Sequence, residues 1–264
     1  MKTQIKMIVT DLDGTLLRSD KTVSERTMKT LAHCREQGIK IIFATGRTAS
    51  SLSLAPMHLF DGYATANGAI AKIGDMLIYK SLIPSLEARK LLVACHKRGL
   101  PMSSQYGGYD HSNFIMSDVW PEVTLFEIVD FSTHDKDAEK IITYNLNPDD
   151  IEFINKHLPN DSYMVMALDG LAMITHKDAT KSKAVAAVAA HWGIKKEEIV
   201  AFGDDLNDID MLEYVGTGVV MGNGLDAVKA VADDSCPSND NDGVACWIET
   251  NIIIKTQKGQ PLLR

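Results

Sequence analysis

The segment Asp11-Leu12-Asp13-Gly14-Thr15-Leu16 holds two carboxylates one residue apart, directly after the apolar run Ile5 to Thr10. Such a run is typical of a buried parallel strand, and ligands of open α/β sheets bind beyond the carboxyl ends of the strands. A carboxylate at that position can be a nucleophile that forms an aspartyl-phosphate, or it can face a cation. The alternative interpretation is a polar turn, in which Asp and Gly satisfy only the backbone.

A second acidic cluster, Gly203-Asp204-Asp205-Leu206-Asn207-Asp208, follows another apolar run, Ile199 to Phe202. Magnesium prefers oxygen ligands from a few carboxylates and keeps its other positions for water and substrate phosphate. A helix N-cap would explain one of these polar residues, but not four. The cluster therefore favours a magnesium site at the start of a helix.

Two smaller features could bind phosphate. Thr45-Gly46-Arg47 follows the apolar run Lys40 to Ala44, so its hydroxyl and backbone amides could hold phosphate oxygens at a helix start. Lys181 begins a predicted helix and could supply a positive charge. Each feature alone is more often an ordinary turn or a surface lysine.

The elements that must position these residues alternate between strand and helix at both ends of the chain. Thr22 and Glu25 have the spacing of a capping box at the start of the first helix, and a second helix is predicted over Thr48 to Leu59. This alternation predicts a parallel sheet covered by helices. The predicted strands are Ile5 to Thr10, Lys40 to Ala44, Tyr63 to Ala66, Ile199 to Phe202 and Thr217 to Met221.

The middle of the chain has a different pattern. Gly74-Asp75 predicts a hairpin turn, and Asp169-Gly170 predicts another between strands at Tyr163 to Ala167 and Leu171 to Thr175. Mixed, antiparallel structure inside an α/β chain indicates an inserted domain. We therefore predict a core built from residues 1–82 and 181–264, interrupted by a second domain at residues 83–180.

Composition excludes some classes of protein. Acidic residues outnumber basic residues, 35 against 27, and the formal net charge is −8, which argues against a dedicated nucleic-acid-binding protein. No apolar run approaches the roughly 20 residues that cross a bilayer, and Met1-Lys2-Thr3-Gln4 leads into a strand without a signal-peptide region. We expect a cytoplasmic enzyme that binds neither nucleic acid nor membrane.

Together and in this order, the motifs resemble the haloacid dehalogenase superfamily, particularly its Cof-type phosphatases. The resemblance spans both core segments, about two-thirds of the chain, and implies an α/β fold: a Rossmann-like parallel-sheet core with an inserted α+β cap domain. The residues that carry it are Asp11-x-Asp13-Gly14-Thr15-Leu16, Thr45-Gly46-Arg47, Asn67-Gly68-Ala69, Lys181, Gly203-Asp204-x-x-Asn207-Asp208-x-x-Met211-Leu212, Met221-Gly222-Asn223 and Asp242-Gly243-Val244-Ala245.

The resemblance also implies a role for each motif residue. Asp11 is the expected nucleophile and a Mg²⁺ ligand. Asp13 is expected to act as general acid and base and to bind the metal through its backbone carbonyl, with Asp204 as the third ligand. Thr45 and Lys181 are expected to hold phosphate oxygens. Further residues expected to contact phosphate or substrate are Leu12, Gly46, Arg47 and Asn207, while Asp208 is expected to support the metal ligands without touching the ion.

Two departures from the family pattern leave alternatives open. Asp205 adds a negative charge where a small residue is often seen. Lys183 follows closely enough to replace Lys181.

The expected function is Mg²⁺-dependent hydrolysis of small phosphorylated metabolites, sugar phosphates above all, through an aspartyl-phosphate. A phosphomutase of the same superfamily is the nearest alternative enzyme. It would retain the phosphoryl group and give an isomerised sugar phosphate in place of inorganic phosphate. A phosphoacceptor signalling domain also clusters aspartates around magnesium, but would be about half this length. A non-catalytic phospho-ligand-binding relative is a further alternative, against which the presence of both Asp11 and Asp13 argues.

Overall fold

A computed structural model describes residues 4–49, 52, 55–121, 123–166 and 170–253, which form two compact units. The first unit takes in the described parts of Met1–Gly46, Leu52–Tyr79 and Thr180–Arg264. The second takes in the described parts of Arg47–Ser51 and Lys80–Ala179. The assignment of these units as catalytic core and cap stays a prediction. No helix in the described part of the chain is long and apolar enough to cross a membrane.

The strands and helices are numbered in chain order. The strands are β1 Met7–Thr10, β2 Lys40–Ala44, β3 Gly62–Thr65, β4 Ile70–Ile73, β5 Met76–Lys80, β6 Ser103–Tyr106, β7 Tyr109–Ser112, β8 Phe126–Ile128, β9 Lys140–Tyr144, β10 Ser162–Met166, β11 Leu171–His176, β12 Ile199–Gly203, β13 Thr217–Val220 and β14 Asp234–Ser235. The helices are α1 Glu25–Glu36, α2 Ser85–Lys97, α3 Pro148–His157, α4 Lys181–His191, α5 Ile209–Tyr214, α6 Asp226–Lys229 and α7 Gly243–Ile248.

The first unit is built on an eight-stranded sheet in the order β14-β13-β12-β1-β2-β3-β4-β5. The strands from β14 to β3 are parallel, and β4 is antiparallel to β3. Successive side chains of a strand point to opposite faces. Ile8 therefore packs on one face with Leu31 of α1 and Trp247 of α7, while Val9 packs on the other with Val188 of α4. The predicted parallel α/β core is confirmed.

The register of the sheet brings the acidic motifs to one edge. Thr10 is paired with Phe43 of β2 on one side and with Phe202 of β12 on the other. All three residues lie at or next to the carboxyl ends of parallel strands. The loops that follow these strands, which contain Asp11, Thr45 and Asp204, therefore begin at neighbouring positions along this edge of the sheet.

The second unit contains a six-stranded sheet in the order β10-β11-β9-β6-β7-β8. Its pairings are antiparallel except for β7 with β8. One face packs on α2 and α3 through Ile141, Ile174, Leu92 and Ile154. The predicted antiparallel character of this region is confirmed; Ala167 and Asp169 of the predicted hairpin lie outside the described residues.

One predicted helix start is wrong. Helix α1 begins at Glu25 with Ser24 as its N-cap, whose side-chain oxygen accepts a hydrogen bond from the Thr27 amide at 3.0 Å. The Thr22 hydroxyl is engaged elsewhere, because it donates to Asp20 Oδ1 at 2.6 Å.

The helix predicted over Thr48 to Leu59 is only partly described. Residues 50, 51, 53 and 54 lie outside the described part of the chain. What is described near its end is a short 3₁₀ turn at Met57–Leu59, after Pro56.

Candidate active site

Three carboxylates meet at the edge of the first unit's sheet. Asp11 follows β1, and Asp204 and Asp208 follow β12, the strand beside it. One carboxylate oxygen from each residue lies within 4.8 Å of those of the other two. Asp11 and Asp208 are buried and Asp204 is half-buried. Three acidic groups at this spacing could share one divalent cation.

Lys181 places a buried ammonium group among these carboxylates. It is the first residue of α4, and its Nζ lies 2.6 Å from Asp11 Oδ1 and 2.6 Å from Asp208 Oδ1. The side chain of Lys183 is exposed instead, two residues further along the helix. Between the two lysines left open by the sequence, the geometry thus favours Lys181.

Asp208 has both carboxylate oxygens engaged by the protein. Oδ1 accepts from Lys181, while Oδ2 accepts from the backbone amides of Asp204 at 2.9 Å and Asp205 at 3.1 Å. Gly203 leaves room for this carboxylate, because a Cβ on Gly203 would lie 2.5 Å from Asp208 Cβ. These contacts suit a residue that orients its neighbours better than one that binds an ion.

The carboxylate of Asp204 is held by residues of the first acidic motif, which follows β1. Thr15 Oγ1 donates to Asp204 Oδ1 at 2.7 Å, and Gly14 lies against the same carboxylate. A Cβ on Gly14 would meet Asp204 Oδ2 at 2.2 Å, and the φ of Gly14 is +76°. Only glycine therefore suits this position, both for its backbone and for the space that Asp204 takes. Asn223 adds a further tie by donating to the Gly14 carbonyl at 2.8 Å.

Replacing Gly14 by alanine is expected to displace Asp204. We expect Mg²⁺ affinity to fall about 10- to 100-fold, as for other changes beside metal ligands, and the free energy of unfolding to drop by about 1 kcal/mol from the strained φ. Isothermal titration calorimetry and thermal unfolding measure the two effects. Gly38→Ala is the matched control, because Gly38 has φ +81° and a Cβ there would meet no atom within 4 Å beyond its chain neighbours. Equal Mg²⁺ affinity in the two variants would contradict the prediction that Asp204 is a metal ligand held in place by Gly14.

The carboxylates are not fully compensated by the protein. Burial raises the pKa of Asp11 to about 8, with Lys181 opposing and Asp208 adding to the rise. Burial also raises the pKa of Asp204 to about 6, although the Thr15 hydrogen bond lowers it. Burial alone would lower the pKa of Lys181, but Asp11 and Asp208 raise it above its ordinary value and keep the group charged. With all three carboxyl groups ionised, the ammonium of Lys181 would leave an excess of two negative charges, which one divalent cation would balance.

The remaining residues of the first motif have separate environments. Asp13 is partly exposed, and its Oδ1 accepts from Lys21 Nζ at 2.9 Å, a contact that the sequence did not predict. The side chain of Leu12 is buried in the hydrophobic core, so any contact of Leu12 with substrate must use its backbone.

The predicted phosphate-binding residues lie on several loops. Thr45 is buried directly after β2, and Asn207 is exposed after β12, where its Nδ2 donates to Asn67 Oδ1 at 2.9 Å. Gly46 packs against this pair, since a Cβ on Gly46 would meet Asn67 Oδ1 at 2.9 Å. Arg47 is grouped with the second unit. The phosphate-binding roles of all four predicted residues stay predictions.

Sequence reasoning missed the supporting contacts made by Thr15, Asn67 and Asn223. Each belongs to a motif quoted for the family resemblance, but nothing in the local pattern says which partner it meets. Their common signal is position, because Thr15, Asn67 and Asn223 all follow the carboxyl end of a core strand.

Comparisons with known proteins agree with this geometry. A family model described as haloacid dehalogenase-like hydrolase matches residues 8–248. The 5-amino-6-(5-phospho-D-ribitylamino)uracil phosphatase YitU of Bacillus subtilis (strain 168) is 28% identical, over 94% of this chain and 98% of the relative. Pyridoxal phosphate phosphatase YbhA of Escherichia coli (strain K12) is also 28% identical, over 94% and 99%. The solved structure of a haloacid dehalogenase subclass IIB sugar phosphatase superposes with a TM-score of 0.79 and 29% identity, over 93% of this chain and 98% of that one.

Proposed function

This chain belongs to the haloacid dehalogenase-like hydrolase family and is a phosphatase, and from that premise we propose that it hydrolyses small phosphorylated metabolites with Mg²⁺ through an aspartyl-phosphate on Asp11. The observation that carries the proposal is the meeting of Asp11, Asp204 and Lys181. Carboxylate oxygens of the two aspartates lie within 4.8 Å of one another, and the ammonium lies 2.6 Å from Asp11. A nucleophile, a cation-binding pair and a positive charge are what phosphoryl transfer requires.

The donor set fits magnesium. Asp11 and Asp204 offer carboxylate oxygens, the backbone carbonyl of Asp13 would be the third protein ligand, and the uncompensated charge of the cluster matches one divalent cation. When bound, Mg²⁺ would neutralise charge on the phosphoryl oxygens as a Lewis acid. Asp208 would hold the backbone of Asp204 and Asp205 in place.

The reaction has two chemical steps. In the first, a carboxylate oxygen of Asp11 bonds to phosphorus while the bond from phosphorus to the substrate oxygen breaks, and Asp13 gives its proton to that leaving alkoxide. In the second, Asp13 takes a proton from water as the water oxygen bonds to phosphorus. The bond between phosphorus and Asp11 then breaks, which releases inorganic phosphate and the free carboxylate.

Three residues would bind the phosphoryl oxygens during both steps. Lys181 supplies a fixed positive charge close to the nucleophile, which is worth most in a buried site. The Thr45 hydroxyl and the Asn207 amide would donate from the loops after β2 and β12. Because Lys181 contacts Oδ1 of Asp11, it also orients the nucleophilic carboxylate.

Sugar phosphates are the substrate class that we favour. One similar solved protein is named as a sugar phosphatase, and the two relatives named above act on a ribitylamino-uracil phosphate and on pyridoxal phosphate. All three are named for small phosphorylated molecules. We propose that residues 83–180 act as the cap that selects the leaving group.

Metal removal tests the proposal directly. After treatment with a chelator, we expect phosphate release from an aryl phosphate to fall by at least about 100-fold, because Lewis-acid stabilisation is worth several kcal/mol. Added Mg²⁺ should restore the rate. Ca²⁺ is the matched control and should restore little, since it prefers more ligands at longer distances. A chelated enzyme with full activity would overturn the metal assignment, and conversion of a hexose phosphate to its isomer without phosphate release would favour the phosphomutase.

Mg²⁺ affinity should weaken as the pH falls. Burial raises the pKa of Asp11 to about 8 and that of Asp204 to about 6. Asp11 below about pH 8, and Asp204 below about pH 6, therefore bind protons that the ion must displace. We expect the affinity to fall about tenfold per pH unit for each displaced proton. Calorimetry at pH 8, 7 and 6, in buffers of different ionisation enthalpy, counts these protons. An affinity that does not change with pH would contradict the raised pKa values.

A further inference from the structure

The turn after β3 has an unusual backbone. Ala66 and Asn67 are consecutive non-glycine residues with positive φ, +50° and +56°, and Gly68 follows with φ +90°. Left-handed conformations are rare for residues with a side chain, and they persist where the surrounding structure holds them. Strain of this kind concentrates at functional positions, so the partners that hold this turn bear on function.

The turn is tied to the loop after β2. The backbone amide of Asn67 donates to the Thr45 carbonyl at 3.0 Å. The Asn67 side chain lies over Gly46, where a Cβ would approach its Oδ1 to 2.9 Å. The turn therefore contacts both residues that precede Arg47 in the predicted phosphate-binding loop.

The turn also reaches the loop after β12. Asn67 Oδ1 accepts a hydrogen bond from Asn207 Nδ2 at 2.9 Å. In the sheet, β3 and β12 are separated by β1 and β2, so this hydrogen bond passes across the ends of two strands. One of those strands is the one that Asp11 follows.

Finally, the turn supports the start of α4. Gly68 lies so close to this helix that a Cβ would meet the Thr180 carbonyl oxygen at 2.1 Å and the Lys181 amide at 3.0 Å. The position of Lys181 thus depends on Gly68. Within the described residues, this one turn touches Thr45 and Asn207, which come from two different loops, and Lys181 at the start of α4.

We propose that Ala66–Gly68 is the positioning element of the phosphate site, and that Asn67 is a positioning residue that aims the Asn207 amide at the phosphoryl group. This inference rests on the proposed function, because Asn207 must contact phosphate for its aim to matter. Asn67 does not itself take part in either chemical step. Its role is to fix the direction of a neighbouring donor, because the exposed side chain of Asn207 could otherwise adopt other rotamers.

Asn67→Gly separates the effect of the Asn67 side chain from the effect of its backbone conformation. Glycine adopts positive φ without strain, so the turn and its amide contact with Thr45 remain while the acceptor for Asn207 is lost. We expect kcat/KM to fall about 10- to 100-fold, the range in which small misplacements act, and the inhibition constant of inorganic phosphate to rise about tenfold. The melting temperature should stay within a few degrees of that of the unchanged protein.

Asn145→Gly is the matched control. Asn145 is another asparagine with positive φ, +56°, and it belongs to the second unit. This variant makes the same chemical change at a position outside the turn, and should keep the kcat/KM of the unchanged protein. Equal kinetics in Asn67→Gly and Asn145→Gly would overturn the proposal.

A double-mutant cycle with Asn207→Ala tests whether Asn67 acts through Asn207. If it does, Asn67→Gly will have no further effect on kcat/KM in the Asn207→Ala background. Additive losses would show that Asn67 acts independently, and would overturn the positioning role. In parallel, the side-chain amide signals of Asn207 in a nitrogen–proton correlation spectrum should move in Asn67→Gly and not in Asn145→Gly.

The spectrum separates two kinds of failure. If the unchanged protein releases no phosphate with Mg²⁺, the proposed function fails, and a shifted Asn207 signal still supports the contact on which this inference depends. If the unchanged protein is active but Asn67→Gly has its kinetics, only the inference fails.

Discussion

Asp11→Asn is expected to abolish turnover and to leave the fold intact. The amide cannot form the bond to phosphorus, and removing a nucleophile that acts with its neighbours costs about 10⁴-fold or more in kcat. Burial raises the pKa of Asp11 from 3.8 to about 8, so ionising this group lowers the stability of the folded protein progressively as the pH rises between those two values. A neutral amide removes that cost, so the melting temperature should be equal or higher, most clearly above pH 8.

Phosphate release and thermal unfolding measure both parts of this prediction. Acid quenching of the unchanged enzyme during turnover, followed by mass spectrometry, should find the phosphoryl group on the peptide that contains Asp11. Asp61→Asn is a control for the loss of one carboxylate, since Asp61 contacts Arg35 and the Ile41 amide far along the chain from both acidic motifs. Full activity in Asp11→Asn would exclude Asp11 as the nucleophile.

Lys181→Met is expected to damage both catalysis and stability. The ammonium is buried and lies 2.6 Å from the carboxylates of Asp11 and Asp208, so its loss leaves these two charges without their cationic partner. Breaking a buried ion pair on one side costs about 3–5 kcal/mol, and losing one transition-state donor costs about 10²- to 10³-fold in kcat.

Added Mg²⁺ should recover part of the lost stability, because the ion would compensate the same carboxylates. Chemical denaturation with and without Mg²⁺ tests this, with kcat measured in parallel. Lys183→Met is the matched control, since the same change is made two residues away on an exposed part of α4, and it should alter neither quantity by much. If Lys183→Met proved the more damaging variant, the choice between the two lysines would be wrong.

The sequence was sufficient to predict the core of the fold because its signals are local. Ile5 to Thr10 and Ile199 to Phe202 are apolar runs, and such runs suit strands that are covered on both faces. Each acidic motif follows such a strand, and the family resemblance implied that Asp11 and Asp204 bind the same ion. Their proximity in the structure agrees with this expectation.

Contacts that depend on strand order or on competing local partners were not predictable. Asn67 and Asn207 are 140 positions apart in the chain, and their hydrogen bond exists only because the sheet places β3 and β12 on either side of β1 and β2. The prediction of the N-cap of α1 was wrong for another reason. Thr and Ser are both favoured at the N-cap. In the structure the Thr22 hydroxyl donates to Asp20, and Ser24 is the residue that caps α1.

The pairing of β1 with β12 has a consequence for synthesis. Asp11 and Lys181 are 170 positions apart, so at about 5–20 residues per second a ribosome needs roughly 8 to 35 seconds to add the second after the first. Through that interval Asp11 lacks its ammonium partner, so the proposed active site cannot yet be complete. The edge of β1 that β12 will cover is meanwhile unpaired, and unpaired strand edges in incomplete chains are prone to mispairing.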